Sequence, residues 1–251
     1  MTTTSHARSF DAAAALYAAH RPSYPSALLD AVEVIAGRPL AGARAADVGA
    51  GTGILTALLH ARGARVVAVE PGDGMAAEFR RHLPDVPIVR GDGNRLPLAS
   101  ASVDLVSYAQ SWHWTDPDRS LPEAFRVLRP GGALAVLRND SDESVPWISD
   151  QAARLRRFLG AGEAGDGSAA PAAADSLPSG RPGFTTRRVS WSRRVPLDAH
   201  LGNLASHSAF LVLGEERAAP LFDEERERLT ALFPDGTVEE RYVATVSVAL
   251  R

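Results

Sequence analysis

Apolar residues follow two different periods along this chain. Within the first forty residues they recur every three to four positions, which predicts two helices separated by the proline-punctuated segment RPSYP at 21–25. The second helix, 26–36, places Leu28, Leu29 and Val32 on one face and ends at Gly37. We expect that face to pack against a hydrophobic core.

From residue 44 onward, short apolar runs alternate with helical stretches, and this alternation predicts a mostly parallel sheet with helices on both faces. The segment PGG at 130–132 is predicted to turn the chain into a fifth strand. The predicted strands are 44–48, 65–70, 86–90, 103–108 and 133–139, and the predicted helices are 54–61, 74–82 and 117–128.

Beyond residue 139 the pattern is weaker. It predicts a helix over 147–159, a strand over 184–195, helices over 198–213 and 216–233, and a terminal strand over 242–250. The Gly/Ala/Ser/Pro-rich stretch 160–180 is predicted to be a loop. We therefore divide the chain into an N-terminal helical lid (1–40), a ligand-binding core (41–139), a helix with a flexible loop (140–183) and a C-terminal part (184–251) that completes the sheet.

Composition narrows the class of protein. The 251 residues are 45% hydrophobic and 23% charged, as in ordinary globular proteins. The formal net charge of -3 argues against the basic surface of a nucleic-acid-binding protein. Cysteine is absent, which excludes disulfides and thiolate chemistry. The sequence contains neither a signal-peptide pattern nor an apolar run near the ~18 residues of a membrane helix, so we expect a cytoplasmic protein without membrane partners.

The sequence DVGAGTG, at 47–53, connects the first predicted strand to a helix. Its alternating glycines allow a tight turn and bring bare backbone against a ligand. Glu70, at the end of the next strand, is placed to accept hydrogen bonds from both hydroxyls of a ribose. The spacing G-x-G-x-G differs from the dinucleotide fingerprint G-x-G-x-x-G, and the carboxylate of Asp47 would repel phosphate and attract an ammonium group. These features indicate a nucleoside with an amino-acid tail.

Six segments in sequence order carry a family resemblance: Tyr17 with RPSYP, DVGAGTG, VVAVEPGDGM, GDGNRLPL, VDLVSYAQSWHW and EAFRVLRPGGAL. With them the chain resembles class I S-adenosylmethionine-dependent methyltransferases, in particular the broad family that includes ubiquinone-pathway, trans-aconitate and natural-product methyltransferases. The resemblance covers about residues 10–139 by motifs. It implies an α/β Rossmann-like three-layer sandwich with a mostly parallel seven-stranded sheet, its last strand antiparallel, and an N-terminal helical lid.

The resemblance also implies roles for individual residues. Asp47 would lie at the methionine amine of S-adenosylmethionine and Glu70 at the ribose, while Tyr17 and Arg21 would close over the cofactor. The remaining implied cofactor residues are Gly49, Gly51, Gly53, Met75, Asp92, Ala109 and Gln110. Simpler alternatives remain for several of these residues: Met75 as helix packing, Asp92 as a turn cap, and Tyr17 with Arg21 as an exposed helix end. The sequence GNR at 93–95 departs from the family pattern and leaves the contacts at the adenine edge open.

Two histidines are candidate catalytic residues. His113 follows the fourth predicted strand, where the reactive end of the cofactor is expected, and imidazole can accept a proton near neutral pH. His207 lies in the segment that similar enzymes fold over the substrate. Each has a structural alternative, His113 as a buried histidine between Trp112 and Trp114 and His207 as an exposed helical residue. His20 and Tyr24 are weaker candidates.

We therefore predict a methyltransferase that converts S-adenosylmethionine to S-adenosylhomocysteine and methylates a small molecule, with a hydroxyl or carboxyl group favoured over nitrogen or carbon. The histidines are scattered through the sequence without the close pairing that is common among metal ligands, so we expect no metal site. The arginine-rich stretch 187–194 fits a charged edge strand better than a nucleic-acid surface. The sequence is compatible with either a monomer or a homodimer. Two other functions stay open: an S-adenosylmethionine-binding protein with non-methyl chemistry, and an NAD-dependent oxidoreductase.

Overall fold

The computed structural model describes residues 14–162 and 183–251, and these residues form one sheet of seven strands. The predicted loop 160–180 and the start of the predicted lid lie largely outside the described residues. The strands are β1 (Arg44–Val48), β2 (Arg65–Glu70), β3 (Ile88–Arg90), β4 (Val103–Ala109), β5 (Leu128–Ser141), β6 (Phe184–Pro196) and β7 (Thr237–Leu250).

Helices connect these strands in the described part of the chain. They are α1 (Ala14–His20), α2 (Ser26–Ala36), α3 (Ile54–Ala61), α4 (Asp73–His82), α5 (Pro117–Val127), α6 (Pro146–Gly162), α7 (Leu197–Ala205), α8 (Ser208–Leu213) and α9 (Glu215–Leu232), with a 3-10 turn at Trp112–Trp114. Among them, no helix combines the length and apolar character needed to cross a membrane.

The sheet has the strand order β3-β2-β1-β4-β5-β7-β6. Strands β1 to β5 are parallel, and β7 lies antiparallel between β5 and β6. The predicted mostly parallel sheet with an antiparallel last strand is confirmed. Val48 of β1 is paired with Val69 of β2 and with Tyr108 of β4, so these three strands end at the same edge. Their carboxyl ends therefore deliver side chains to one place.

Each strand alternates its buried side chains between the two faces of the sheet. One face packs Ala45, Leu105 and Val246 against helices α2, α3 and α4. The other face packs Ala46, Val106 and Val136 against α5. This alternation produces the three layers, with helices covering both faces of the sheet.

Three boundary predictions are wrong. The PGG segment does not turn the chain into β5 but lies inside that strand, where Gly131 takes a φ of +75° and the register against β4 shifts. The single helix predicted over 198–213 is two helices, because the backbone of His207 is extended. Strand β7 begins at Thr237 rather than at 242, which brings Glu240 into the sheet.

The C-terminal helices cover the edge where the parallel strands end. Leu201 and Leu204 of α7 pack with Leu229 of α9. Helix α1 packs against α7, and a Cβ built on Gly202 would lie 2.7 Å from the ring of His20. The glycine at position 202 therefore allows the first helix to lie directly on the C-terminal part of the chain.

Candidate active site

One cavity of about 550 Å³ lies between the strand ends, the N-terminal helices and the C-terminal helices. This volume is within the range of ~300–1,000 Å³ that is typical of ligand sites. The cavity brings together all the predicted site residues except Gly53 and the weaker candidate His20. Those that line it are Tyr17, Arg21, Asp47, Gly49, Gly51, Glu70, Met75, Asp92, Ala109, Gln110, His113 and His207.

The three glycines of the loop after β1 all have positive φ, but their surroundings differ. A Cβ built on Gly49 would lie 2.4 Å from Ser111 Cβ, so this glycine permits close contact with the loop after β4. A Cβ on Gly53 would lie 2.7 Å from Leu83, which shows that Gly53 packs towards α4 and away from the cavity. Gly51 has no atom within 4 Å of such a Cβ and faces open space in the cavity.

Glu70 fixes the glycine loop from the end of β2. Its Oε2 accepts a hydrogen bond from the amide of Gly51 at 2.8 Å, and its Oε1 accepts one from the amide of Gly72 at 2.7 Å. The side chain is buried at the cavity wall. A carboxylate accepts up to about four hydrogen bonds, so one group can hold the loop and also bind a ligand's hydroxyls. The role of Glu70 in holding the loop was not predicted.

Asp47 is a fully buried carboxylate at the cavity wall. Thr56 Oγ1 donates to its Oδ2 at 2.6 Å, and Ser107 Oγ donates to its Oδ1 at 2.9 Å. Burial raises the pKa of Asp47 to about 6, and the two hydroxyl donors limit the rise. A cationic ligand group beside this carboxylate would favour its ionised form.

Met75 and Asp92 lie on the side of the cavity next to β2 and β3. Met75 is buried in α4, and Asp92 Oδ1 accepts the amide of Asn94 at 2.7 Å, so Asp92 caps a turn and lines the cavity at the same time. A Cβ on Gly93 would lie 2.9 Å from the ring of Tyr108, whose hydroxyl donates to the Gly93 carbonyl at 3.0 Å. This packing explains the glycine in the segment GNR.

Ala109 and Gln110 lie where β4 enters the cavity. Gln110 has a φ of +53°, which is rare for a residue with a side chain. Its Nε2 donates to the carbonyl of Asn139 at 2.8 Å, and its amide donates to the carbonyl of Leu137 at 3.0 Å. Strain held by such bonds is common at functional sites.

His113 and Trp114 line the cavity, whereas Trp112 packs in the core with its ring edge-on to Tyr108. The rings of His113 and Trp114 are 4.6 Å apart. Burial, with a smaller effect of the Arg138 charge, lowers the pKa of His113 to about 4. The imidazole is therefore neutral at physiological pH and available as a proton acceptor of low basicity.

Tyr17 and Arg21 lie where α1 meets α7. The guanidinium of Arg21 is 4.8 Å from the centre of the Tyr17 ring, and its Nη2 donates to the carbonyl of Ser206 at 3.2 Å. His207 lines the same side of the cavity. Desolvation and the positive charges of Arg21 and His200 lower the pKa of His207 to about 3. His207 is the residue before α8 rather than part of a continuous helix.

A cluster of polar side chains at the cavity wall was not predicted. His200 Nδ1 is 2.7 Å from Glu240 Oε1, and the hydroxyl of Tyr242 donates to Glu240 Oε2 at 2.7 Å. Gln151 and Asn203 complete the set at the wall. Two spacings carry the signal: Glu240 and Tyr242 are two apart on one strand face, and His200 and Asn203 are three apart on one helix face. The spacing of Glu240 and Tyr242 was missed because the last strand was predicted to begin at 242, whereas β7 begins at Thr237.

Within residues 14–162 and 183–251, no group of three or more His, Cys, Asp or Glu side chains is arranged to hold a metal ion.

Comparison with known proteins agrees with this geometry. Residues 46–136 match a family described as a methyltransferase domain. An uncharacterized methyltransferase of Mycobacterium tuberculosis (strain ATCC 25618 / H37Rv) is 44% identical over 142 residues, which are 57% of this chain and 56% of that protein. A demethylmenaquinone methyltransferase of Beutenbergia cavernae is 37% identical over 129 residues, 51% of this chain and 53% of that protein.

A solved structure from Anaeromyxobacter dehalogenans, provisionally assigned as a type II methyltransferase, extends the similarity over more of the chain. It covers 92% of this chain and 96% of its own, with 28% identity and a TM-score of 0.65. The sequence matches are shorter, since the chain spans little more than half the length of the curated relatives that it matches.

Proposed function

We propose that this chain is a class I S-adenosylmethionine-dependent methyltransferase and that it transfers a methyl group to a small-molecule acceptor; the match to a methyltransferase domain over residues 46–136, the methyltransferase relatives and the shared fold support this. We further propose that the acceptor atom is the oxygen of a hydroxyl or carboxyl group. The match to a methyltransferase domain argues against the NAD-dependent oxidoreductase. Use of the same cofactor for a non-methyl reaction remains the second candidate, and it is distinguished by the products.

The residues of the cavity fit the cofactor. S-adenosylmethionine, when bound, supplies an electrophilic methyl group on a positively charged sulfur. Glu70 would accept the ribose hydroxyls, and Asp47 would face the amino-acid ammonium group. Gly49 and Gly51 would lie beneath the nucleoside, Met75 and Asp92 beside the adenine, and the remaining proposed contacts are Tyr17, Ala109 and Gln110.

One observation carries the proposal. A single cavity contains both the loop held by Glu70 and a second wall formed by α6, α7 and β7, which belongs to no part of the expected cofactor site. A methyl donor and its acceptor must lie in line and away from water. The cavity provides room for both, and we propose that residues 14–40 of the predicted lid and residues 184–251 cover them as lid and substrate cap.

Among the predicted site residues, His113 is the proposed proton acceptor for a hydroxyl substrate, because it lines the cavity in the loop directly after β4. Its lowered pKa keeps the ring neutral above about pH 4. We expect His113→Gln to reduce kcat while S-adenosylhomocysteine binding stays within about threefold. At saturating S-adenosylmethionine, whose ammonium group would hold Asp47 ionised, the acid limb of the wild-type profile of kcat/KM for the acceptor should lie near pH 4, and an acid limb near pH 6.5 under that condition would refute the environment assigned to His113.

The test of the function is turnover. The full chain is incubated with S-adenosylmethionine and a panel of hydroxyl- and carboxyl-bearing acceptors, and mass spectrometry follows both S-adenosylhomocysteine and an added methyl group. We expect the two products in equal amounts. Sulfur nucleoside products other than S-adenosylhomocysteine, or S-adenosylhomocysteine with methylated nitrogen or carbon, would contradict the proposed reaction. Glu70→Ala should lower cofactor affinity by about tenfold or more, whereas Glu143→Ala, at an exposed carboxylate, should leave it unchanged.

A further inference from the structure

Two amide side chains of the cavity are fixed in orientation by the partners of their nitrogen atoms. Gln110 follows the end of β4 and Asn203 lies on α7, and both line the cavity. The nitrogen of a side-chain amide only donates and its oxygen only accepts, so the groups around an amide show which end is which. In both residues the nitrogen has a partner and the oxygen has none.

Gln110 is oriented by the end of β5. Its Nε2 donates to the carbonyl of Asn139 at 2.8 Å, and because a carbonyl only accepts, the nitrogen must occupy this position. Asn139 is itself held by hydrogen bonds to Ser23 and Trp191. Within the part of the chain that the structure describes, no group donates to Gln110 Oε1. This residue therefore brings an acceptor without a donor to the cavity.

Asn203 shows the same arrangement on the wall formed by α7 and β7. Its Nδ2 donates to the hydroxyl of Tyr242 at 3.2 Å and to Glu240 Oε1 at 3.4 Å. The tyrosine gives its own hydrogen to Glu240, and Arg193 pairs with that carboxylate, so both groups accept from Asn203. Asn203 Oδ1 is buried and meets no donor among the described residues. A buried acceptor without a donor is costly, and a ligand that donates to it removes this cost.

The strand order places the two amides along the cavity from the cofactor side to the acceptor side. Strand β4 lies next to β1, and Ser111 packs on Gly49 of the loop that is proposed to hold the cofactor. On its other side β4 lies next to β5, and β7 with Tyr242 follows. Gln110 is therefore close to the proposed methyl donor, whereas Asn203 belongs to the wall beyond it.

The backbone of Gln110 gives independent support for a functional side chain. Its φ of +53° is a conformation that glycine adopts at no cost and that other residues avoid. The hydrogen bond from its amide to the carbonyl of Leu137 holds this conformation. Strain of this kind persists where the side chain has a role at the site.

The charges of the acceptor wall favour neutral donors over an ammonium group. Asp140 and Glu240 are the carboxylates that the described residues of β5 and β7 bring to the cavity. Asp140 pairs with Arg138, and Glu240 pairs with Arg193. An ammonium group would have to compete with these arginines, whereas a hydroxyl group needs only a neutral acceptor such as an amide oxygen.

We propose that the methyl acceptor carries further hydroxyl groups besides the oxygen that is methylated, and that these donate to Gln110 Oε1 and Asn203 Oδ1. The proposal rests on the proposed function, because it takes the cavity beyond the cofactor as the acceptor's site. A methylated hydroxyl has one hydrogen, which His113 is proposed to accept, and a methylated carboxylate has none. In either case the donors come from other groups. The acceptor class is thus a neutral polyhydroxy compound.

Ligand-observed NMR titrations with matched probes test this inference. The full chain is saturated with S-adenosylhomocysteine, so that no turnover occurs. The probes are phenol, catechol, resorcinol and phloroglucinol, each with its fully methylated ether, and benzyl alcohol with benzylamine. We expect affinity to rise by about tenfold from phenol to the best polyhydroxy probe, and each ether to bind more weakly than its parent. Benzylamine should bind no more tightly than benzyl alcohol.

Two variants and one control assign the preference to the amide oxygens. Gln110→Gly removes one oxygen and relieves the backbone, and Asn203→Leu replaces the other amide by an apolar group of similar size. In each, the preference for the best polyhydroxy probe over its ether should fall by about three- to tenfold. Ala101→Gly is the matched control, because Ala101 has a φ of +51° but is exposed and lies outside the cavity. It should leave the preference unchanged.

The outcomes separate this inference from the proposed function. If no probe binds, if the ethers bind as tightly as their parents, if benzylamine binds more tightly than benzyl alcohol, or if both variants keep the full preference, the polyhydroxy assignment is wrong. If Gln110→Gly weakens S-adenosylhomocysteine and keeps the full preference, its side chain serves the cofactor. If the wild-type chain binds no S-adenosylhomocysteine at all, the proposed function fails, while the preference for hydroxyl groups is still measured on the protein alone.

Urea unfolding shows whether each variant folds. Asn203→Leu also loses the hydrogen bonds to Glu240 and Tyr242, so it is the variant at greater risk. Gln110→Gly loses one hydrogen bond and gains a residue suited to the local φ, so it tests the inference independently of Asn203→Leu.

Discussion

The three glycines of the loop after β1 should respond differently to the same substitution. All three have positive φ, so each alanine variant carries a backbone cost of about 1–2 kcal/mol. What differs is the space around each Cβ. Gly49→Ala, Gly51→Ala and Gly53→Ala therefore form a matched series in which one methyl group probes three environments.

Gly49→Ala should be the most destabilising member. Its Cβ would overlap Ser111 Cβ at 2.4 Å, and moving Ser111 breaks the 2.6 Å bond from its hydroxyl to the Val48 carbonyl. Overpacking costs about 1–3 kcal/mol and the lost hydrogen bond about 1 kcal/mol. With the backbone cost, we expect the free energy of unfolding to fall by about 3–6 kcal/mol.

Gly51→Ala should change stability least and binding most. Its Cβ meets no protein atom within 4 Å, so only the backbone cost of about 1–2 kcal/mol applies. The same Cβ occupies the space proposed for the nucleoside, and we expect S-adenosylhomocysteine affinity to fall by about tenfold or more. Gly53→Ala meets the side chains of Leu83 and Phe79, which can shift, so its stability should lie between the other two.

Urea unfolding and calorimetric titration with S-adenosylhomocysteine measure both quantities for each variant. The predicted order of destabilisation is Gly49, then Gly53, then Gly51. The reasoning is refuted if Gly51→Ala destabilises the protein as much as Gly49→Ala, or if Gly51→Ala binds the nucleoside as tightly as the wild type does.

Two further predictions concern buried polar groups. Because burial raises the pKa of Asp47 to about 6 in the folded chain, the ligand-free protein should lose up to about 3 kcal/mol of stability from this group as the pH rises from 4 to 7. Urea titrations measure the free energy of unfolding of the wild type and of Asp47→Asn. The stability of the variant relative to the wild type should increase as the pH rises from 4 to 7, and a difference that is constant with pH would contradict the account. Asn139→Ala should cost about 1–3 kcal/mol, because Asn139 Oδ1 accepts from Trp191 Nε1 at 2.9 Å and its Nδ2 donates to Ser23. Combining it with Trp191→Phe should cost less than the sum of the two, and strict additivity would count against the coupling.

The residues of the proposed cofactor side could be predicted to lie together because they are close in sequence. The glycine loop, Glu70 and Met75 fall within one strand-helix-strand-helix segment, whose hydrophobic period places the strand ends together. Gly53 was grouped with the others by motif alone, and only the packing against α4 separates it from them.

The residues of the proposed acceptor side could not be predicted to lie together from local patterns. His200 and Glu240 are forty residues apart and meet only because α7 packs on β7. The break at His207 contains neither glycine nor proline, so no residue in the sequence signals the end of α7. The orientation of Arg21 likewise depends on a contact with Ser206, at a separation of 185 residues. Long-range packing decides each of these features.

Binding of the sulfur nucleoside tests the central claim most directly. The purified chain is titrated calorimetrically with S-adenosylmethionine and S-adenosylhomocysteine, and with NAD as a nucleotide that shares the adenosine part. We predict that both sulfur nucleosides bind with one-to-one stoichiometry and that NAD shows no comparable binding. In Gly51→Ala the affinity for the sulfur nucleosides should fall by about tenfold or more. Binding of NAD in preference to the sulfur nucleosides, or binding that is unaffected by Gly51→Ala, would contradict the account.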